Sequence, residues 1–288
     1  MKNFLNLIRV HQWVKNVFVF LPVFFSGKLL MSEYYFPAIL GVVIFSFISS
    51  CVYILNDYRD VEADRLHPEK KNRPLASGAI APKNALIVMA LLFTVAIGLC
   101  WYFATWKVLV IVLVYFGLNI GYSFGWKHIP VIDVNIIAFG FLLRVFLGGY
   151  ITGLPISDWT VVLTYSLALI LALGKRRGEV LNEEIKGNTR KSLEGYNKSY
   201  LNTALAVTCS ITIVFYVMFV LADEVQERFH HYVFYTFVFV VLAILRYLQQ
   251  TIVFNKTESP TKMVYKDVFL QMIFLAWVVS FTLLIYFK

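Results

Sequence analysis

Long runs of apolar residues, separated by polar segments, follow one another along almost the whole chain. A helix needs about 20 apolar residues to cross a bilayer, and nine runs come close to that length or reach it. The predicted spans cover residues 13–30, 36–56, 84–103, 107–125, 130–151, 158–174, 201–222, 231–249 and 267–287. The runs do not alternate with period two, so we expect helices rather than the strands of a barrel. The pattern predicts an all-α integral membrane protein with nine transmembrane helices.

The composition agrees with this fold class. Of the 288 residues, 59% are hydrophobic and only 15% are charged, and the mean hydropathy is +0.71. A soluble domain usually carries about 25% charged residues, so an ordinary soluble enzyme and a disordered chain are both excluded. The spans leave room for short loops and for two longer ones, at about 57–83 and 175–200. We therefore predict a single polytopic membrane domain over residues 1–288.

The positive charge is distributed by membrane side. The net charge is +9, and one set of alternate loops, which includes the N-terminal segment, holds 21 of the 26 Lys and Arg residues; the other set holds four. By the positive-inside rule, the N-terminus and both long loops lie in the cytoplasm, and the protein is a multi-pass protein of the inner (cytoplasmic) cell membrane. This sidedness argues against nucleic acid as a partner. The sequence leaves homo-oligomer formation open.

Three carboxylates recur at helical spacing where the first long loop begins. Asp57, Asp60 and Asp64 stand at positions i, i+3 and i+7, which share one face of a helix. Like charges on one face repel each other unless a cation neutralises them, and carboxylates together with substrate phosphates suit Mg²⁺. We therefore predict a Mg²⁺ site at the membrane surface, formed by Asn56, Asp57, Asp60 and Asp64. A solvated acidic helix end, paired locally with arginine, is the alternative.

Basic residues accompany both long loops and predict phosphate binding. Lys70 and Arg73 follow the acids and can reach back to the outer oxygens of a metal-bound diphosphate. After the sixth span, residues 175–177 are all basic and precede a single acid, Glu179. Such a segment suits a phosphate group rather than a metal. Ordinary positive-inside charge is the competing interpretation.

These motifs resemble those of a known family. The segment NDYRDVEADR, followed by HPEKKNRPLASG at the end of the second span, resembles the aspartate-rich motif of the UbiA prenyltransferase superfamily. The resemblance implies nine helices around a cytoplasm-facing active-site cavity that binds Mg²⁺-diphosphate. Most aromatic prenyltransferases of the superfamily have a second aspartate motif after the sixth helix, where this chain has GKRRGEVL. That departure argues against a prenyl diphosphate held by a second metal.

Four further segments resemble one branch of that superfamily, the decaprenyl-phosphate phosphoribosyltransferases. They are QWVKN at 12–16, GKRRGEVL at 174–181, RKSLEGY at 190–196 and AILRY at 243–247. This branch transfers 5-phosphoribose from phosphoribosyl diphosphate to a polyprenyl phosphate and releases pyrophosphate. The resemblance therefore implies those two substrates, Mg²⁺ as cofactor and a membrane-embedded pentosyltransferase. Because the acceptor phosphate is already anionic, the reaction needs no general base.

The resemblance and the charge pattern together suggest a role for each candidate residue. Asp57, Asp60 and Glu179 are the predicted catalytic residues, and Glu179 is expected near the ribose hydroxyls. Lys15 and Asn16, at the membrane surface, are the candidates for the lipid phosphate. The full set predicted to bind substrate or phosphate is Lys15, Asn16, Lys70, Arg73, Arg144, Lys175, Arg176, Arg190, Lys191 and Tyr196.

Two ionisable residues lie inside the fifth predicted span. Asp133 and Arg144 are eleven residues apart, which is three turns plus about 20°, so they share a helix face. An ionisable residue within a span indicates function by default. A polar anchor near each interface is the alternative. Arg144, in LLRVFLGG, also fits the family pattern.

Two other functions compete with phosphoribosyl transfer. The first is a UbiA-type prenyltransferase that joins a prenyl diphosphate to an aromatic or other small acceptor, and the basic second motif argues against it. The second is a transporter or channel, for which charges near span midpoints and broken helices would be expected. The charge clusters here lie in loops instead. We expect the acids and the bases to line one pocket that holds both anionic substrates.

Overall fold

The computed structural model describes residues 2–67, 70–186, 193–255 and 266–286, with the backbone alone for 183–186. All regular structure in these ranges is helical. The α-helices are α1 (Lys2–Leu7), α2 (Leu21–Phe25), α3 (Tyr35–Arg59), α4 (Val61–Arg65), α5 (Pro82–Phe103), α6 (Trp106–Phe124), α7 (Ile132–Thr152), α8 (Asp158–Lys186), α9 (Lys198–Leu221), α10 (Asp223–Phe229), α11 (Phe237–Leu248) and α12 (Val268–Tyr286). Helices of the 3-10 type cover Val10–Phe20, Ser32–Tyr34, Lys70–Asn72, Trp126–His128 and His231–Thr236, and a π-helical turn covers Gln249–Val253.

Eight helical segments within the described ranges are long and apolar enough to cross a membrane. They are Ser32–Arg59, Pro82–Phe103, Trp106–Phe124, Ile132–Thr152, Asp158–Asn182, Lys198–Leu221, His231–Val253 and Val268–Tyr286. The predicted first span, 13–30, corresponds to a shorter apolar helical segment, Val10–Phe25, in which the first eleven residues form a 3-10 helix. The predicted all-helical, multi-pass membrane fold is confirmed, whereas the count of nine spans is not.

Residue contacts divide the chain into two compact units. The first unit comprises Met1–Lys127 and Gly140–Ile156, and the second comprises His128–Phe139 and Ser157–Lys288. Helix α7 therefore begins in the second unit and continues in the first. The single domain over residues 1–288 stays a prediction.

The central helix of the first unit is α3. It packs against α5, α6 and the 3-10 helix Val10–Phe20, around a core that includes the fully buried Phe45. A serine stripe on α3 also fixes the 3-10 helix through hydrogen bonds. The Trp13 indole nitrogen donates to Ser50 Oγ at 3.0 Å, and the Asn16 amide donates to Ser46 Oγ at 2.8 Å. These bonds satisfy polar groups that lipid could not solvate.

Gly148 allows α7 to lie directly against the 3-10 helix. A Cβ atom at this position would lie 2.1 Å from the carbonyl oxygen of Val19, a backbone atom that cannot turn aside. We expect Gly148→Ala to lower the free energy of unfolding by about 1–3 kcal/mol through overpacking, measured as a lower melting temperature in detergent. Gly117→Ala is the matched control, because nothing lies within 4 Å of its Cβ position. Equal melting temperatures for the two variants would contradict this packing.

In the second unit, α8 packs along α9, and α11 packs against α9 and α12. Helix α8 continues to Lys186, well beyond the predicted end of the span at 174, so the basic motif lies on a helix rather than in a loop. Arg177 is fully buried on this helix. Its Nε donates to Asn202 Oδ1 at 2.7 Å and its Nη1 donates to the carbonyl oxygen of Thr251 at 2.6 Å. The guanidinium thus ties α8 to α9 and to the π-helical turn.

Candidate phosphate and metal sites

The end of α3 interrupts the predicted acid face. The helix ends one residue before Asp60, whose φ of −97° and ψ of 10° leave helical geometry, and α4 begins one residue after it. The N–H groups of Asp60 and Asp64 still donate to the carbonyl oxygens of Asn56 and Asp60, at 3.0 and 2.8 Å. The turn therefore keeps nearly helical spacing, yet Asp57 and Asp64 contact one arginine while Asp60 contacts a different cation.

Two buried carboxylates of the first unit share one guanidinium. Arg73 Nη1 lies 3.0 Å from Asp57 Oδ1 and 2.6 Å from Asp64 Oδ2, and these acids are only 2% and 3% exposed. Arg9 adds a second cation, with Nη2 2.5 Å from Asp57 Oδ1 and its guanidinium over the Tyr53 ring. Carboxylates buried this deeply remain charged only when they are paired. We call Arg9, Asp57, Asp64 and Arg73 the carboxylate cluster.

Asp60 pairs with a lysine from a distant part of the sequence. Lys127 Nζ lies 2.8 and 3.0 Å from the two carboxylate oxygens of Asp60, and both side chains are partly exposed. Neither Lys127 nor Arg9 was predicted as a site residue from the sequence. They stand 67 and 48 residues from their partners, so local spacing carries no signal for either contact.

The oxygens of Asp57 and Asp64 fit the ligand chemistry of Mg²⁺. Both accept from the same nitrogen of Arg73, so one positive centre already bridges them. Mg²⁺ usually takes one or two carboxylates and completes its coordination with waters and substrate phosphates. Within the described ranges, no three His, Cys, Asp or Glu side chains are grouped so as to hold a metal by themselves. The cluster therefore suits a metal that arrives with a phosphate ligand.

A buried acid organises the basic motif of the second unit. Asp133 is fully buried and accepts from Arg176 Nε at 2.5 Å and from the Tyr196 hydroxyl at 2.6 Å. Arg176 Nη1 also lies 2.5 Å from Glu179 Oε2, and Lys175 Nζ lies 3.7 Å from Glu179 Oε1. We call Asp133, Arg176, Glu179 and Tyr196 the Asp133 network. It joins three predicted site residues to Asp133, an ionisable residue of the fifth predicted span for which no role was predicted.

The members of the basic motif differ in exposure and therefore in what they can do. Lys175 and Glu179 have side chains that are 49% and 30% exposed, so both can meet a ligand. Arg176 is largely buried, with 9% of its side chain exposed next to Glu179, and Tyr196 is buried. Burial, and after it the hydrogen bond to Asp133, raises the pKa of Tyr196 above its ordinary value. The hydroxyl therefore keeps its proton at neutral pH and acts as a donor to Asp133.

Asn16 and Arg144 lie in the core of the first unit rather than at a surface. They are 0% and 4% exposed, and Arg144 donates to Asn16 Oδ1 at 2.9 Å and to the carbonyl oxygen of Gly140 at 2.7 Å. Ser46, which binds Asn16, precedes Asp57 by eleven residues, about 16 Å along α3. These hydrogen bonds fasten α7 to the 3-10 helix, and the predicted role of Asn16 and Arg144 in substrate binding stays a prediction.

Three further predicted site residues lie on helices of the first unit. Asn56 is half-buried near the end of α3, Lys15 is half-buried on the 3-10 helix, and Lys70 begins the short 3-10 helix that precedes Arg73. Arg190 and Lys191 lie outside the described residues.

The fold and these sites define a class, a multi-pass helical membrane protein in which acids and arginines at a helix end suit a metal-bound phosphate. Comparison with known families gives the same class. Residues 19–275 match the model of the UbiA prenyltransferase family. The chain therefore belongs to the UbiA prenyltransferase family, and the resemblance seen in its motifs is confirmed.

Several relatives are similar over nearly the whole chain. The decaprenyl-phosphate phosphoribosyltransferase of Corynebacterium glutamicum is 33% identical, over 98% of this chain and 86% of that protein. The enzyme of the same name from Mycolicibacterium smegmatis is 32% identical, over 99% of this chain and 92% of that protein. The one from Mycobacterium tuberculosis is 31% identical, over 95% and 91%.

A solved structure shares the fold. A UbiA homologue from Archaeoglobus fulgidus, bound to DMAPP and Mg²⁺, superposes with a TM-score of 0.70 and 18% identity, over 98% of this chain and 99% of that chain. At this identity the likeness shows the fold alone. The same homologue has also been solved with GPP and Mg²⁺.

Proposed function

We propose that this protein transfers the 5-phosphoribosyl group of phosphoribosyl diphosphate to a polyprenyl phosphate and releases pyrophosphate. The observation that carries the proposal is the similarity, over nearly the full length, to three enzymes named decaprenyl-phosphate phosphoribosyltransferase. The charge of the second unit supports it. Among the described side chains, Lys175 and Arg176 both pair with the partly exposed Glu179, and a group with two bases to one such acid suits a phosphate better than a metal.

In this proposal the carboxylate cluster binds the diphosphate of the donor. Asn56, Asp57, Asp60 and Asp64 would hold Mg²⁺, directly or through water, together with the substrate phosphates. When bound, the metal supplies positive charge that stabilises the departing pyrophosphate. Arg9, Arg73 and Lys127 now neutralise carboxylates, and we expect them to donate to diphosphate oxygens once the donor binds, because Arg and Lys bind phosphate strongly.

The other proposed roles concern the ribose and the acceptor. The bond from ribose C1 to the diphosphate oxygen breaks, and an oxygen of the lipid phosphate forms a new bond to C1 from the opposite face. That oxygen already carries negative charge, so the chain needs no side chain to remove a proton. Glu179 is proposed to contact the ribose hydroxyls, Lys175 and Arg176 a substrate phosphate, and Lys15 the lipid phosphate. Arg190 and Lys191 are proposed as further phosphate ligands.

Mass spectrometry of lipids tests this function directly. Purified protein is incubated with Mg²⁺, polyprenyl phosphate and phosphoribosyl diphosphate, and in a parallel reaction with a prenyl diphosphate and an aromatic acceptor. We expect phosphoribosylated lipid in the first reaction, its loss when EDTA removes the metal, and no prenylated product in the second. Prenylated product in the second reaction, without ribosylated lipid in the first, would favour the aromatic prenyltransferase instead.

We also propose that the N-terminus and the carboxylate cluster face the cytoplasm at the cell membrane, because the charge bias along the chain favours that orientation. Lys71 and Lys107 are both exposed and fall on opposite sides in this topology. The native cysteines are buried, so an introduced cysteine can be labelled selectively. In intact cells, an impermeant maleimide should label Lys107→Cys, and it should label Lys71→Cys only after permeabilisation. The reverse pattern would contradict the orientation.

A further inference from the structure

The turn that precedes α7 has an unusual backbone conformation. Val131 has a φ of 69°, which a β-branched residue rarely adopts. Its N–H donates to the Tyr196 hydroxyl and its carbonyl oxygen accepts from the Asn135 amide, each at 2.6 Å. Gly195 packs closely against Pro130, the residue before Val131. A Cβ atom at position 195 would lie 2.1 Å from Pro130 Cγ. Strain of this kind persists only where surrounding contacts enforce it, and it is concentrated near functional sites.

The Tyr196 hydroxyl connects this strained turn to the basic motif. It accepts from the Val131 N–H and at the same time donates to Asp133 Oδ1 at 2.6 Å. The other oxygen of Asp133 accepts from Arg176 Nε. One buried carboxylate therefore fixes the guanidinium of Arg176 and the hydroxyl of Tyr196 together, and Tyr196 in turn fixes the turn that carries Asp133.

Two acids define the plane of the Arg176 guanidinium. Asp133 binds it at Nε and Glu179 binds it at Nη1, each at 2.5 Å. A guanidinium is a planar fork, so contacts at two of its nitrogens leave little rotational freedom. A side chain that is already held in one orientation favours ligand binding, because the conformational entropy of ordering it has been lost before the ligand binds.

We propose that Asp133 is a positioning residue that orients Arg176 toward a substrate phosphate, with Tyr196 holding Asp133 in place. Asp133 is 0% exposed, so it acts on the substrate only through Arg176. The inference rests on the proposed function, since it requires Arg176 to bind a phosphate of the donor or of the lipid. It adds to that function a residue from the fifth span that neither touches substrate nor belongs to the aspartate-rich motif.

A double-mutant cycle on Asp133 and Arg176 tests the proposal. The variants are Asp133→Asn, Arg176→Met, the double variant and Asp158→Asn, an exposed acid in the first turn of α8 that serves as control. We expect Asp133→Asn to raise the KM for phosphoribosyl diphosphate or for the lipid phosphate by about tenfold or more. The dissociation constant measured by calorimetry should rise by the same factor. This is the size of the effect of losing one charge-assisted hydrogen bond. In the Arg176→Met background, Asp133→Asn should raise the same KM and dissociation constant by less than about twofold.

Tyr196→Phe provides a second route that leaves the Asp133–Arg176 pair chemically intact. Tyr196→Phe should raise the same KM by a smaller factor, and kcat should change less than KM. This variant still tests the proposal if Asp133→Asn does not fold. Equal losses in the two Arg176 backgrounds would indicate a general structural role and overturn the proposal. An unchanged or lower KM for both substrates in Asp133→Asn and Tyr196→Phe would overturn it as well.

The calorimetric cycle separates this proposal from the proposed function. If the wild-type protein forms phosphoribosylated lipid but the cycle shows no coupling, the positioning role fails and the function stands. If the protein binds phosphoribosyl diphosphate in an Asp133-dependent and Arg176-dependent way but transfers nothing to lipid, the function fails and the positioning role stands. Failure to bind either substrate would overturn both.

Discussion

Replacing Asp64 with asparagine is expected to reduce kcat/KM for phosphoribosyl transfer by about 1000-fold, which corresponds to about 4 kcal/mol of transition-state stabilisation. The asparagine oxygen can still accept from Arg73, so the cluster keeps its shape. It cannot supply the negative charge that binds a divalent metal beside Asp57. Initial rates at saturating Mg²⁺, with each substrate varied in turn, measure the effect.

The control for Asp64→Asn lies two residues away. Glu62 has a side chain that is 84% exposed and pairs only with Arg65 within the described residues, so Glu62→Gln should leave both rate and melting temperature close to the wild-type values. Far-UV circular dichroism and melting curves establish that the Asp64 variant is folded. A loss smaller than about tenfold in a folded Asp64→Asn protein would contradict the metal-binding role.

The second large effect is expected at Arg73, because this residue bridges two buried acids. Arg73→Met leaves Asp64 without its cation and Asp57 with Arg9 alone, and breaking a buried pair in this way costs about 3–5 kcal/mol of stability. It also removes a proposed diphosphate ligand, so KM for phosphoribosyl diphosphate should rise by about 100-fold. For Arg73→Lys, both the stability and the KM should lie between those of the wild type and Arg73→Met, because lysine keeps the charge but lacks the planar guanidinium.

Melting temperature in detergent and KM together test the Arg73 expectation. Arg65→Met is the matched control, since the Arg65 side chain is half exposed and its pair with Glu62 lies at the surface, where such pairs contribute at most about 1 kcal/mol. If Arg73→Met changed the melting temperature and the KM no more than Arg65→Met does, this would contradict the proposed role of Arg73 in the carboxylate cluster.

The sequence predicts those features that depend on local spacing. The apolar runs predict eight of the helices, with ends that shift by several residues, because a helix such as α8 continues beyond the hydrocarbon once its polar residues find partners. The spacing of Asp57, Asp60 and Asp64 predicts three acids on one face, but only Asp57 and Asp64 meet at Arg73, while Asp60 pairs with Lys127. The predicted contact of Arg73 with a diphosphate stays a prediction. The family motifs predict the fold and the class of reaction.

The sequence does not predict contacts made by tertiary packing. Arg9 and Lys127 bind acids 48 and 67 residues away, and no motif connects them. The place of Asn16 beside Lys15 suggested a surface position, whereas in the fold Asn16 is buried and contacts Ser46 and Arg144. Asp133 and Arg144 share a helix face, as their spacing predicts, but Asp133 binds Arg176 and Arg144 binds Asn16.

The measurement that tests the central claim most directly follows two labels from one donor. Phosphoribosyl diphosphate carrying ¹⁴C in the ribose and ³²P in the β-phosphate is incubated with the protein, Mg²⁺ and polyprenyl phosphate. Lipid and water phases are then separated. The account predicts ¹⁴C in the lipid phase and ³²P in the water phase as pyrophosphate, at equal molar amounts. Both labels in the lipid, or neither label there while the protein is folded and metal-loaded, would contradict it.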